Sequence, residues 1–287
     1  MPAVPSKTGS SAHAHAPGLG ARSVHEQPGP KTLLASHDLV IDVPGRADGS
    51  PLSLTVNPGQ CWGILGPNGA GKSTLLQTLA GLRTVRSGHI EVQGRTLREL
   101  SRANLARRLG LVFQTHHDGF PATVLETALI GRHPYLRPWD IETAEDYERA
   151  RASLAAMDLA NLEHRMVDTL SGGERQRLAI ATVLTQDPNL LLLDEPTSQL
   201  DLHHQVAVLN RVRGIVAQAE RAAVLVLHDV NLAARYCDHL LLLYPDGQAC
   251  WGPANTMLVP SALERLYNQR LSVGEVDGLP VFLPRSE

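Results

Sequence analysis

A short apolar segment, residues 60–65, runs directly into Gly66-Pro67-Asn68-Gly69-Ala70-Gly71-Lys72-Ser73-Thr74. Beyond it, Leu75, Leu76, Leu79 and Leu82 recur at helical spacing. A full G-x-x-x-x-G-K-[ST] pattern between a strand and a helix is a phosphate-binding loop. Its glycines let the backbone bend so that amide N–H groups point inward. The helix beginning near Lys72 adds its positive end. Lys72 is expected to reach the outer phosphates and Ser73 to ligate Mg²⁺ through its hydroxyl. The loop by itself does not choose among ATPases, GTPases and kinases.

The rest of the chain has the pattern of an α/β core. Residues 33–43 and 52–56 read as strands, separated by a turn region with two Gly and two Pro at 44–51. Residues 90–92 and 109–113 are further short strands, the second ending at Gln114. Residues 190–193 and 224–227 are continuous apolar runs, as in strands covered on both faces. Residues 206–217 between them read as a helix. Strands alternating with helices indicate a mainly parallel sheet. Alternation disappears over residues 121–168, where 123–130 and 142–159 read as helices inserted on the sheet core. Pro245-Asp246-Gly247 between 240–243 and 248–251 is a hairpin signal.

Two more motifs narrow the chemistry. Leu170-Ser171-Gly172-Gly173-Glu174-Arg175-Gln176-Arg177 opens a second helix. A Ser N-cap followed by glycines presents free N–H groups to an anion. The run Leu190-Leu191-Leu192-Leu193 ends at Asp194-Glu195, and a carboxylate at a strand's C-terminal edge lies beside the phosphate loop in such sheets. Asp194 is the expected holder of Mg²⁺, and Glu195 the residue that orients the attacking water or takes its proton.

In this order, the three motifs resemble the ATPase subunit of an ABC transporter, over roughly residues 32–258. The resemblance implies a P-loop NTPase core with a mainly parallel sheet, an N-terminal antiparallel β part and an inserted helical subdomain. It implies that Gln114 touches Mg²⁺ and that His228 contacts the γ-phosphate. The Ser171-Gly172-Gly173 end would serve ATP held by a second copy of the chain. Ser198-Gln199-Leu200-Asp201 looks like the loop coupling the two sites. ATP closes such a dimer by population shift, and hydrolysis opens it. Members of the family usually stack an aromatic on adenine, but this alignment has Val43 there, with no aromatic from residue 31 to 60. Weaker, less base-selective binding, helped by Arg46 or another chain, is the expectation.

Cargo is marked more weakly. Gly131-Arg132-His133-Pro134-Tyr135, the acidic stretch 142–150 and Arg235-Tyr236-Cys237-Asp238-His239 resemble ATPases of importers for ferric siderophores, haem and cobalamin, with siderophore leading. The implied partners are a second copy of the chain, two transmembrane permease subunits and, indirectly, a substrate-binding protein. The implied location is the cytoplasmic face of the cell membrane.

Composition supplies the exclusions. With 43% hydrophobic and 19% charged residues, the chain can bury a sizeable core, and no run reaches the roughly 18–20 apolar residues of a membrane span. A net charge of −3 gives no broad reason to expect nucleic acid. Cys61, Cys237 and Cys250 have no metal-type spacing and read as small apolar side chains. His116-His117 and His203-His204 read as surface histidines. The expected organisation is a disordered tail at 1–30 (including His13 and His15), an ATPase domain at 31–258 with a helical subdomain at about 115–170, and a C-terminal extension at 259–287 packed on it. The rivals are an ABC ATPase serving other cargo, a non-transport ABC ATPase of repair or translation, and a nucleotide-binding regulator without turnover. Absent heptads and a single phosphate loop disfavour the repair and translation forms.

Overall fold

The computed structural model describes residues 32–45, 49–114, 121–218 and 220–285. The predicted tail, Arg46 and His116-His117 lie outside them. The central sheet has the order β10-β9-β3-β8-β7-β6. Its strands are β3 (Cys61–Leu65), β6 (Leu109–Val112), β7 (Leu190–Asp194), β8 (Ala222–Val226), β9 (His239–Leu243) and β10 (Ala249–Pro253). All neighbours are parallel except the edge hairpin β9–β10, formed across the predicted turn. A smaller antiparallel sheet, β2-β1-β4-β5, joins β1 (Leu34–Ile41), β2 (Thr55–Val56), β4 (Val85–Val92) and β5 (Arg95–Thr96).

Alternation along the central strands divides the interior into two cores. Leu190 and Leu192 of β7 pack with Trp62, Ile64, Val224 and Leu241, beneath helix α1 (Lys72–Leu79) and the antiparallel sheet. Leu191 and Leu193 face the other way, with Cys61, Leu65, Leu225, Leu240 and Leu242. This second core continues without a break into the helical region, where Val124, Leu125, Ala150 and Leu154 join it. All five residues of β7 and of β8 are buried, which is why their sequences read as unbroken apolar runs.

Several elements differ from their sequence expectation. Of 52–56 only Thr55–Val56 is strand, because Leu52 makes an isolated bridge to Leu39 instead. Leu82 falls outside α1. Gly81, at φ 69°, ends that helix, and the Gly81 and Leu82 amides donate to Thr78 O (3.0 Å) and Gln77 O (2.9 Å), leaving Leu82 exposed. After α2 (Arg102–Ala106) the helical region holds α3 (Val124–Leu129) and α4 (Ala144–Ala155). The predicted helix 142–159 is cut to α4 because Asp158 turns left-handed (φ 55°) and Arg177 takes the Met157 and Asp158 carbonyls at 2.9 and 3.4 Å. Helix α5 (Gly172–Gln186) carries the second motif. Helix α6 (Leu202–Val216) starts four residues before the apolar spacing does, capped by Asp201 accepting from the His204 amide at 2.9 Å. After α7 (Val230–Tyr236), α8 (Ala254–Met257) and α9 (Pro260–Tyr267), the chain closes with the hairpin of β11 (Leu271–Val276) and β12 (Leu279–Pro284). Asn231 on α7 bonds the β12 backbone twice, at Phe282 N (2.8 Å) and Phe282 O (3.2 Å).

Candidate functional site

Strand order places the site. Asp194 pairs with Val226 and Leu193 with Val112, so β6, β7 and β8 end at one edge. The loop after β3 opens at that same edge, since β3 is parallel to β8.

Lys72 is buried within the loop, its Nζ donating to Gly66 O at 2.9 Å and Pro67 O at 3.1 Å. Gly71 is the N-cap of α1, at φ 96° and with no side-chain cap, so the first amides of the helix keep their donors for an anion. Pro67, Asn68 and Gly69 form the outer lip, and Ala70 is buried. Thr74 lies in the first turn of α1, where its carbonyl accepts from the Thr78 hydroxyl at 2.7 Å.

The carboxylates come to this loop as expected. Asp194 is 2% exposed and accepts from the Ser73 hydroxyl, while its Oδ1 is buried with no hydrogen-bond partner. Burial pushes its carboxyl up from the ordinary value, and the Ser73 hydrogen bond opposes that. Lys72 shows the mirror effect: burial pulls its ammonium down, and the nearby charges of Glu195 and Asp194 hold it up. An orphaned carboxylate oxygen beside a hydroxyl is a hard oxygen set and fits Mg²⁺. Gln114 lies two residues past β6 at the same edge and is exposed.

Glu195 is held by three features. Its backbone is left-handed, at φ 51°, a conformation costing a non-glycine residue about 1 kcal/mol or more. Its carbonyl accepts from Gln176 Nε2 on α5 at 3.3 Å. Its carboxylate Oε1 lies 2.6 Å from His228 Nε2, with Glu195 nearly buried and His228 half exposed. The sequence expectation gave His228 a phosphate contact; the structure adds a contact at hydrogen-bonding distance with the Glu195 carboxylate.

Ser171-Gly172-Gly173 sits at a different helix end. Ser171 Oγ accepts from the Glu174 amide (3.2 Å) and Glu174 Oε2 from the Ser171 amide (2.7 Å), a complete capping box. The Ser171 amide holds the Glu174 carboxyl below its ordinary value. Gln199, at φ 62°, lies against the glycines, its Oε1 where a Gly172 side chain would stand. Gln176 and Gln199 are functional candidates that the sequence reading did not single out. Both lie inside motifs it quoted, so their position was visible and their contacts were not.

Val43, the alignment's counterpart of the stacking aromatic, is buried with its Cγ2 against Gly71. Its side chain supports the phosphate loop from beneath.

Comparisons with known proteins give the family. The family model described as ABC transporter matches residues 50–198. The hemin import ATP-binding protein HmuV of Nocardia farcinica is 41% identical over 243 residues, covering 84% of this chain and 83% of the relative. The ferric enterobactin transport ATP-binding protein FepC of Escherichia coli is 35% identical over 235 residues, covering 81% and 87%. Among solved structures, a chain of an inward-facing ABC transporter described as of metal-chelate type superposes with a TM-score of 0.78 at 27% identity, covering 89% of this chain and 98% of that one.

Proposed function

This chain belongs to the ABC transporter family as an ATP-binding cassette ATPase, and from that premise we propose that it powers import of an iron chelate or a related cargo. The cargo class is ferric siderophore, haem or cobalamin. The haem and ferric-enterobactin relatives support it, as do the weaker sequence marks at 131–135 and 235–239. The chain works as a homodimer at the cytoplasmic face of the cell membrane, on two permease subunits fed by a substrate-binding protein. Among the described residues no helix is long and apolar enough to cross a membrane. Trp139 (99% exposed) and Ile141 (82%), in the helical region, support a docking surface for the permease.

The observation that carries the reading is the Lys72–Asp194–Glu195–His228 cluster at one sheet edge. Lys72 and the loop amides grip the β- and γ-phosphates of ATP. Glu195 accepts the proton of the attacking water as its oxygen bonds the γ-phosphorus, and the bond to the ADP oxygen breaks. His228 holds the Glu195 carboxylate in line and steadies its charge. Mg²⁺, held by Ser73, Asp194 and Gln114, would neutralise charge developing between the phosphates. Ser171, Gly172 and Gly173 complete the site of the second copy. The ATPase domain spans 31–258, with its helical subdomain at about 115–170 relaying closure, and residues 259–287 form an extension on it.

Co-purification from the native host, with identification of the bound membrane chains, tests the assembly. Uptake of labelled ferric siderophore, haem and cobalamin then names the cargo. Turnover per chain is expected to rise with protein concentration as dimers form. Full turnover by strictly monomeric protein overturns the shared-site reading.

A further inference from the structure

The antiparallel sheet carries a side-chain cluster that the nucleotide chemistry leaves unused. His37 on β1 and His89 on β4 are direct cross-strand partners. Their rings stack with centroids 4.5 Å apart and planes 17° apart. Glu91, two residues beyond His89, shares that face of the strand. Its Oε2 lies 3.8 Å from His37 Nε2 and its Oε1 3.6 Å from His89 Nε2. One ligand atom from each of the three residues lies within 4.8 Å of the others.

The backbone is shaped around this cluster. The β1–β4 register slips between His37 and Val40, with Asp38 left-handed at φ 46°. Such a bulge re-aims the side chain beside it. Opposite it, a Cβ on Gly88 would overlap the carbonyl oxygens of both His37 and Asp38. Glycine therefore lets β4 close onto the bulge immediately before His89.

An ion-pair reading leaves a cost unexplained. Neither imidazole reaches Glu91 within hydrogen-bonding distance, and His37 Nε2 is buried without a hydrogen-bond partner. A buried polar atom left without a hydrogen bond is unfavourable. A cation ligated by both imidazoles and the carboxylate would satisfy it. We propose that His37, His89 and Glu91 bind a borderline divalent transition-metal cation such as Zn²⁺, with water completing the coordination. Tetrahedral ligation at about 2.0–2.2 Å sets neighbouring ligand atoms roughly 3.3 Å apart. The two distances to Glu91, 3.6 and 3.8 Å, stand close to that value, and the stacked imidazoles, with all three ligand atoms within 4.8 Å, come to a shared ion by rotation of the half-exposed His89. Imidazole with carboxylate selects Zn²⁺, Ni²⁺ or Cu²⁺ over Mg²⁺. The bound ion clamps β1 to β4, and β1 leads within two residues to Val43 beneath the phosphate loop. The site stands apart from the ATPase assignment and does not depend on it.

The test uses full-length, tag-free protein carrying His13→Gln, His15→Gln and His25→Gln, which removes the histidines of the N-terminal segment. Calorimetric titration with Zn²⁺ in the absence of nucleotide is expected to show a single ion per chain. His89→Gln and Glu91→Gln should each weaken it at least tenfold, while Asp194→Asn leaves it intact. Co²⁺ should give visible absorption bands that both cluster variants lose, and excess Mg²⁺ should not displace either ion. Zn²⁺ should raise the unfolding temperature of the parent and not of the variants. Should His89→Gln fail to fold, Glu91→Gln, which preserves side-chain volume, gives the same reading. Zn²⁺ affinity unchanged in the cluster variants, or no Zn²⁺ binding at all, overturns the site.

Discussion

Two glycine-containing helix N-termini in this molecule are built differently. At α1 the cap is Gly71, no side chain occupies the helix end, and a buried lysine and two carboxylates stand around it. At α5 the cap is Ser171, and Glu174 of the same turn already bonds the Ser171 amide. A carboxylate there partly offsets the positive end of the helix. The contacts described for its opening residues run to Glu174 and to Gln199 and Leu200 of the following loop. The first end can hold a nucleotide by itself. The second has donors without the machinery, and under the proposed function it completes a pocket begun in a second copy. That asymmetry is the physical argument for a paired molecule.

Glu195→Gln attacks the machinery around α1 and has the largest expected effect. Turnover should fall by about 10² to 10⁴, the usual weight of general-base help. The neutral amide should leave ATP-driven dimerisation intact, measurable by light scattering. Lys72→Ala comes next. Removing a charge-assisted contact worth about 1.5–3 kcal/mol should weaken ATP binding roughly 10- to 150-fold at the monomer, read by equilibrium titration. Ser171→Ala is the mildest. It should cost about 1 kcal/mol of stability through the lost cap, visible in denaturant unfolding. Monomer affinity for ATP should stay unchanged while turnover of the dimer drops. If Ser171→Ala weakened ATP binding to isolated monomers as Lys72→Ala does, the two ends would be equivalent and the comparison would break.

Much of this site could be read from the chain. The phosphate loop, the acidic pair after four leucines and the Ser-Gly-Gly helix end are local patterns, and local spacing decides them. Elements failed where a tertiary partner overruled the pattern. Arg177 reaches back to close α4 early, and Leu39 draws Leu52 out of strand β2. The marks taken for cargo also have a packing role. Arg132 makes an ion pair with Asp146 at 2.8 Å while Tyr135 bonds Gln186 O at 2.9 Å, fixing the helical region on α5.

The sequence alone determined the nucleotide chemistry and the α/β core, because both rest on residues adjacent in the chain or one strand-and-turn apart. The tertiary structure alone decided which side chains meet: Glu195 with His228, Gln176 with the Glu195 carbonyl, Gln199 with Gly172, His37 with His89 and Glu91. Those meetings follow from strand order and register. Both are set by how two hydrophobic faces of one sheet are covered, which is a property of the whole fold and of no single segment.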